Sequence, residues 1–300
     1  MSHASSRMLR VLISTTALFL LALPVTVSGE VVINEIMYRP TDGGTENPAH
    51  EFIELHNTDP DNPVSLEGWR FTKGVNFEFG PQAVIAPGGY VVTVANLAEF
   101  NAKYPDIPNA SGNWEGQLSN SGERIKLVNA NGDEVDEVEY SDQGDWALRV
   151  RETSDGENGW TWASPADDAS HSLELNNPAL INGNGQNWAS SIEAQGTPGG
   201  PNSRLTEDIA PLIRSLKHGP IIPGPEEEVT ISARITDEDT SLVNATVRWR
   251  VSDANPGSFN SAEMSGPDGE DGYTATLPPQ PEGTVVEFYA EASDSTNTRT

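Results

Sequence analysis

The sequence predicts an all-β chain with two β-sandwich domains in tandem behind a signal peptide. Three observations predict it: a short apolar run at the N-terminus, short alternating segments between Gly, Pro, Asn and Asp turns, and almost no helical periodicity after residue 30. A chain of 300 residues is long enough for two domains with separate cores. We place the signal peptide at 1–29, the first domain at 30–203, a linker at 204–208 and the second domain at 209–300.

The N-terminus has the pattern of a secretory signal. Arg7 and Arg10 precede the apolar run Val11–Leu23, which is too short to span a membrane, and small residues follow just before Glu30. The chain has no cysteine, which excludes disulfides and a lipid-modified cysteine at the cleavage site. We expect a secreted, extracellular or cell-surface protein with no membrane insertion after cleavage.

The net charge of −28 is spread over both halves of the chain. The electrostatic field of this negative charge repels nucleic acid and anionic lipid, so nucleic acid is excluded as a partner. It is typical of a solvated acidic surface, and it leaves divalent cations as weak partners.

The stretch "EFIELHN" concentrates carboxylates and a histidine in an alternating strand. Strand parity places Ile53 and Leu55 on one face and Glu54 and His56 on the other, which we expect to be a surface that faces water or a partner. A zinc site would need three or four converging ligands, and the histidines of this chain are not paired at ligand spacing. The pattern therefore predicts a structural strand with no catalytic residue.

The residues after this strand predict a turn and a second core strand. Asn57 is expected to bond backbone two residues on and fix the bend at "DPDNP". Leu66 and Trp69 are expected to join Ile53 and Leu55 in one core layer.

Further along, three local patterns stand out. Asn131-Gly132 between two alternating strands predicts a type I′ hairpin turn, which requires positive φ at both residues. "YVVTVAN" predicts a strand buried on both faces, and "LAEFNAKYP" a short helix. "SHSLELNNP" and "NWASS", within the long polar segment 141–202, are predicted to be edge strands and covering loops.

From Ile209 onward, strand patterns recur at the spacing of a small β-sandwich. After the turn Ser295–Asn297 only Thr298–Thr300 remain, fewer residues than the five or six of a typical sandwich strand. We therefore expect the second domain to be incomplete at its C-terminal strand and the sequence to be the N-terminal part of a longer protein.

A series of segments in the first domain resembles the lamin tail domain family in its bacterial secreted form. The segments are "VVINEIMYRP", "EFIELHN", "VSLEGWRF", "IAPGGYVVTVAN", "QLSNSGERIKLVNANGDEVDEVEY", "SHSLELNNP" and "GTPGGPN", spanning roughly Val31 to Asn202. The resemblance implies an immunoglobulin-like β-sandwich with no catalytic machinery of its own. It also implies exported or surface proteins in which this domain accompanies nuclease, phosphatase or spore-coat-kinase-like domains. The second domain resembles a fibronectin type III or immunoglobulin-like module.

Calcium is the inorganic ligand that the sequence favours, because several loops are rich in carboxylates. Asp59 and Asp61 lie in one loop, and Asp237 and Asp239 in another, but neither loop has the glycine and closing glutamate of an EF-hand. We expect these loops to be solvated turns, with calcium as the alternative, so no metal site and no cofactor is predicted.

Trp114, Trp160 and Trp162 lie in polar loops, where an aromatic ring can stack on a sugar, anchor a protein partner or cap the core.

The sequence leaves three classes of function open. The first is a non-catalytic secreted or surface module for adhesion or binding to a protein or a surface polysaccharide. The second is the non-catalytic N-terminal part of a larger secreted enzyme, and the third is a carbohydrate-binding module.

Overall fold

The structure is a computed structural model that describes residues 31–152, 159–168, 170–238, 243–252, 257–269 and 271–300. Within these ranges it is almost entirely β-strand, as the alternating patterns predict. The predicted signal peptide and Asp239 lie outside the described residues.

The strands divide into two groups along the chain. Those of the first group are β1 Val31–Met37, β2 Thr41–Asp42, β3 Thr45–Glu46, β4 Phe52–Asn57, β5 Val64–Ser65, β6 Arg70–Lys73, β7 Phe77–Glu78, β8 Val84–Ile85, β9 Tyr90–Val94, β10 Ala110–Gly112, β11 Gly122–Val128, β12 Glu134–Ser141, β13 Leu148–Glu152, β14 Gly159–Ala163, β15 Leu173–Leu175 and β16 Trp188–Ser190. Those of the second group are β17 Leu212–Gly219, β18 Val229–Thr236, β19 Asn244–Val251, β20 Asn260–Glu263, β21 Gly272–Leu277, β22 Val286–Ser293 and β23 Thr298–Arg299. The helices are α1 Leu97–Lys103, α2 Pro165–Asp168 and the 3₁₀ turns Pro48–His50, Gly144–Trp146 and Gly185–Asn187.

The first group folds into two facing sheets. A six-stranded sheet has the order β10-β9-β4-β1-β15-β16, and a four-stranded sheet has the order β12-β11-β6-β7. Their facing sides share one core that contains Ile53, Leu55 and Leu66, with Trp69 packed partly buried against it. Each fully buried Leu or Ile contributes roughly 1.5–3 kcal/mol through the removal of apolar surface from water.

The outer side of the six-stranded sheet is also covered. Helix α1, the short helix predicted from "LAEFNAKYP", begins at Asn96, whose side chain accepts hydrogen bonds from the N–H groups of Ala98 and Glu99. Phe100 of this helix packs on Met37 and Phe52 in a second apolar cluster. Strand β9 lies inside the sheet with its apolar residues buried, as "YVVTVAN" predicts.

Two turns show how side chains set the strand connections. The Asn57 amide accepts a bond from the Asp59 N–H at 3.1 Å and donates to the Asn62 and Ala86 carbonyls. The turn at Asn131-Gly132 differs from the type I′ prediction, since only Gly132 has positive φ (89°). The Asn129 side chain accepts from the N–H groups of Asn131 and Asp133, and this closes a longer loop with glycine in the left-handed position.

Strand β15, from "SHSLELNNP", corrects a further prediction. It was expected to be an edge strand or covering loop, but it lies inside the six-stranded sheet between β1 and β16. Its three residues Leu173, Glu174 and Leu175 are all buried, and β16 takes the edge.

The second group forms a three-stranded sheet, β17-β18-β21, and a four-stranded sheet, β20-β19-β22-β23. Ile231, Val247 and Tyr273 belong to the core between these sheets. Strand β23 pairs with β22 over only two residues. Among the residues that the structure describes, no helix is long and apolar enough to cross a membrane.

Candidate functional site

The carboxylates of "EFIELHN" are buried, which overturns the expectation that they face water. The parity of β4 is as predicted, with Ile53 and Leu55 toward the core and Glu54 on the opposite side of the sheet. The opposite side is itself covered, however, and Glu54 is 0% exposed. His56 is partly buried and stacks on Tyr90 with ring centroids 4.5 Å apart.

Three fully buried glutamates form a row across the outer side of the six-stranded sheet. Glu35 on β1 is in register with Glu54 on β4 and with Glu174 on β15, so the three carboxylates stand side by side. A β-bulge between Ile33 and Glu35 lets β1 place Glu35 on this side, although Ile33 and Ile36 both face the core. We call Glu35, Glu54 and Glu174 the glutamate row.

The glutamate row is covered by the segment Gly196–Asn202, "GTPGGPN", which we call the strap. The Thr197 N–H donates to Glu35 Oε1 at 2.8 Å, and the Gly199 N–H donates to Glu54 Oε2 at 2.5 Å. The Thr197 hydroxyl donates to Glu174 Oε1 at 2.8 Å. The carboxylates thus supply the acceptors that the strap backbone would otherwise lack in a buried loop.

The end of the strap is held by a pair of buried asparagines. The Asn34 amide donates to Glu54 Oε1 at 2.9 Å and to Asn202 Oδ1 at 2.8 Å. Asn202 Nδ2 in turn donates to the backbone carbonyls of Asn34 and Leu175. Beyond the strap, the Arg204 N–H donates to Glu174 Oε2 at 2.9 Å. The strap is therefore fixed to three adjacent strands.

Burial and mutual repulsion raise the pKa values of the row. Burial raises the pKa of Glu35 to about 8, with repulsion from Glu174 adding to it, and burial together with the charge of Glu35 raises the pKa of Glu54 well above its usual range. Paired carboxylates with separated pKa values also occur in acid–base catalysis. A catalytic acid must reach a substrate, however, and these side chains are fully buried beneath the strap, from which each accepts a hydrogen bond. The glutamate row therefore has a structural role, which is to hold the strap.

Glu51, the residue before β4, also binds the backbone of a loop through a buried carboxylate. Its side chain is fully buried, and its Oε2 accepts the Leu118 N–H at 2.9 Å, which fixes a loop on the core. Burial raises the pKa of Glu51 to about 8.

The sequence contains a signal for the burial of Glu51 and of the glutamate row, although the sequence analysis considered these carboxylates only as metal ligands or exposed groups. Each lies within a short apolar run, in "VVINEIM", "EFIEL" and "SLEL". A lone charge inside such a run indicates a buried, hydrogen-bonded carboxylate, because its neighbours on both sides must enter apolar layers.

The described residues of the acidic loops, Asp59, Asp61 and Asp237, are not grouped as a metal centre. Asp59 Oδ1 accepts the N–H groups of Asp61 and Asn62, so Asp59 closes its own turn. Asp237 lies just after β18 and has further interactions of its own. Within the described part of the chain, no group of three or more His, Cys, Asp or Glu side chains is placed to hold a metal ion.

The three loop tryptophans have different environments. Trp114 is only 6% exposed and belongs to the core of the first sandwich. Trp162 on β14 is 44% exposed. Trp160 lies in the same strand, and its side chain is outside the described part of the structure.

The hairpin β13–β14 presents the main apolar surface near Trp162. It forms a sheet of its own, in which Leu148 pairs with Ala163 and Val150 with Thr161. Leu148 is 64% exposed and Val150 45% exposed. In this register Leu148 and Val150 lie on one face of the hairpin, and Trp162, which pairs with Arg149, lies on the other. We call these three exposed residues the hairpin patch, because large exposed apolar side chains are typical of a contact surface.

A cleft of about 650 Å³ lies beside the hairpin patch, where the two sandwiches meet. Leu148 and Trp162 line one side, and Arg214, Leu216 and Tyr289 line the other. We call this the junction cleft.

Hydrogen bonds fix the junction at the cleft. The Gln186 side chain donates to the Ile213 carbonyl at 2.6 Å and accepts the Ile213 N–H at 2.8 Å. Arg299 donates to the carbonyls of Gln186 and Pro211. The cleft combines residues of both sandwiches with an exposed aromatic ring.

Two facing sheets around one core and an enclosed polar cluster define an all-β, immunoglobulin-like protein of a generally non-catalytic class. Residues 24–142 match the family model of the Lamin Tail Domain. The match lies largely within the part of the chain whose sequence motifs resemble this family. The structure adds β15 and the strap, from beyond the matched residues, to the same sheet. No curated protein and no solved structure gives a match to the chain.

Proposed function

We propose that the mature chain is a non-catalytic binding module of an exported or cell-surface protein. In this proposal the lamin tail domain, at 30–203, supplies the contact surface, and residues 209–300 form an immunoglobulin- or fibronectin-III-like spacer. One observation carries the proposal: the glutamate row, the strongest concentration of catalysis-type side chains, is fully buried, and each of its three carboxylates accepts a hydrogen bond from the strap of the same chain.

The hairpin patch supports a contact role. Leu148 and Trp162 expose large apolar surfaces on a two-stranded sheet beside the junction cleft. Exposed tryptophan supplies a rigid, wide contact area at low entropic cost, which is why it is enriched at protein interfaces. The partner in this proposal is a protein of the cell surface or its surroundings.

Export is supported by the N-terminal basic and apolar segments. The test is expression of the full chain in a bacterial host, followed by mass spectrometry of each cell fraction. We expect an exported product that begins at Glu30. An unprocessed chain confined to the cytoplasm would contradict export.

The binding role is tested with purified residues 30–300 and isolated cell envelopes from the source organism. The double variant Leu148→Ser/Trp162→Ala is compared with Val84→Ser, which alters an exposed residue of similar type on β8, away from the hairpin. We expect at least tenfold weaker binding for the double variant and wild-type binding for the control. Equal binding by both variants would show that the hairpin patch is not the contact surface.

A further inference from the structure

The hairpin β13–β14 stands apart from the two facing sheets. Within the described part of the chain, its strands pair only with each other. A two-stranded hairpin in water is at most marginally stable by itself, and it is stabilised when another surface packs against it. Leu148, Val150 and Trp162 are nevertheless exposed on it. A contact with a partner would therefore cover apolar surface and stabilise the hairpin at the same time.

One face of the hairpin is aliphatic. Residues that pair across two strands lie on the same face, and alternate residues of one strand share a face. The pairs Leu148↔Ala163 and Val150↔Thr161 therefore lie together. Leu148 and Val150 are both exposed, and neither side chain can hydrogen-bond to a sugar hydroxyl. This face is suited to the apolar surface of a protein rather than to a hydrated polysaccharide.

The opposite face combines arginine with tryptophan. Arg149 pairs with Trp162, and Arg151 pairs with Trp160, so the register places all four residues on this face. Trp162 is exposed there. Tryptophan and arginine are both enriched among the few residues that contribute most of the binding energy at protein interfaces. Each face of the hairpin therefore has the composition of a contact surface, but the two faces differ in chemistry.

The arginines define the charge that complements the second face. A guanidinium group binds a carboxylate through two parallel hydrogen bonds and also stacks on aromatic rings. The chain as a whole carries −28, but exposed charges more than about 8 Å apart are largely screened at physiological ionic strength. The charge directly opposite Arg149 and Arg151 therefore decides the local contact, and an acidic protein surface complements it. A long polyanion would also meet the acidic remainder of the chain, which disfavours nucleic acid and acidic polysaccharide.

We propose that the hairpin β13–β14 inserts into a groove of a partner protein with one apolar wall and one acidic wall. The apolar wall covers Leu148 and Val150, and carboxylates of the acidic wall bind Arg149 and Arg151 beside Trp162. Both faces of this two-stranded layer carry exposed apolar side chains, so a groove that contacts both faces covers more apolar surface than a flat site on one face. This inference deepens the proposed binding function and rests on it.

Charge reversal on the hairpin tests the acidic wall. Purified residues 30–300 and isolated cell envelopes are used as in the envelope-binding assay, with Arg149→Glu and Arg151→Glu made singly. We expect each variant to bind about tenfold more weakly or worse, because a glutamate would face the carboxylates of the partner. The matched control is Lys73→Glu, which makes the same change in net charge at an exposed residue of β6. This control should bind as the wild type does.

Two measurements on the unaltered protein make the test independent of folding in the variants. Binding of the wild type should weaken as sodium chloride is added, because salt screens the contacts between arginine and carboxylate. Envelopes treated with a protease should lose binding, whereas envelopes treated with periodate, which oxidises sugars, should keep it. If the arginine variants do not fold, the salt and protease results decide.

Four outcomes would overturn the inference. They are wild-type affinity in both arginine variants, an equal loss in Lys73→Glu, binding that added salt leaves unchanged, and binding that survives the protease but not periodate, which would assign the hairpin to a polysaccharide. The failures of the two proposals are distinguishable. A wild type that does not bind envelopes removes the proposed function, whereas envelope binding that tolerates both arginine variants removes only this inference.

Discussion

Gly196→Ala is the sharpest perturbation of the strap. Gly196 has a φ of 73°, a conformation that costs a residue with a side chain about 1–2 kcal/mol. An added Cβ would collide with Glu35 Oε1 and would lie 2.6 Å from Ser172 Oγ. Those two atoms are hydrogen-bonded to each other at 2.5 Å, and Glu35 Oε1 also accepts the Thr197 N–H.

Relief of the collision requires the loss of at least one of these buried bonds, at about 1–3 kcal/mol. Together with the backbone cost, we expect the free energy of unfolding to fall by roughly 2–5 kcal/mol. Urea denaturation followed by tryptophan fluorescence measures this change. The matched control is Gly200→Ala in the same strap, where an added Cβ meets no atom within 4 Å. We expect the control to change stability by less than about 0.5 kcal/mol. If the two variants have the same stability, the packing of the strap on Glu35 is refuted.

Three further predictions concern pH, calcium and the tryptophans. The pKa values of Glu35 and Glu51 are raised to about 8 from 4.5, so between these pH values the folded state keeps protons that the unfolded state has lost. The free energy of unfolding should therefore fall as the pH rises from 4.5 to about 8. The fall is up to about 1.4 kcal/mol per pH unit for each group. Glu35→Gln should reduce that slope in urea midpoints measured from pH 5 to pH 8, and an unchanged slope would exclude Glu35 as a source. The melting temperature should be the same in EDTA and in millimolar calcium, because Asp59 is engaged by its own loop; a rise with calcium would reveal a site. Trp114→Ala should cost about 3–5 kcal/mol and Trp162→Ala less than about 1 kcal/mol in urea denaturation, so similar costs would contradict their assigned environments.

Periodicity was sufficient to predict the all-β class, the parity of β4 and helix α1, because these depend on neighbours along the chain. The resemblance to lamin tail domains was likewise carried by short segments of sequence. The burial of Glu54 depends instead on the strap, which arrives from about 145 residues further along the chain. The apolar run around Glu54 indicates burial, but no local pattern shows which distant segment covers the carboxylate.

The turn at Asn131-Gly132 and the position of β15 were missed for related reasons. The dipeptide alone favours type I′, but the Asn129 side chain provides two backbone acceptor contacts that stabilise a longer loop. The insertion of β15 beside β1 is a long-range pairing, Glu35↔Glu174, and sequence spacing does not specify it. The junction cleft likewise arises from two sandwiches whose relative placement depends on a few contacts such as Gln186 with Ile213.

The central claim is that buried glutamates hold the strap on the sheet, and amide hydrogen exchange of the native protein tests it most directly. The N–H groups of Thr197, Gly199 and Arg204 belong to a segment without regular secondary structure, yet each donates to a buried carboxylate. We predict exchange as slow as that of the central strand β1, limited by global unfolding. Exchange of these three amides at the rate of an exposed loop would contradict the claim.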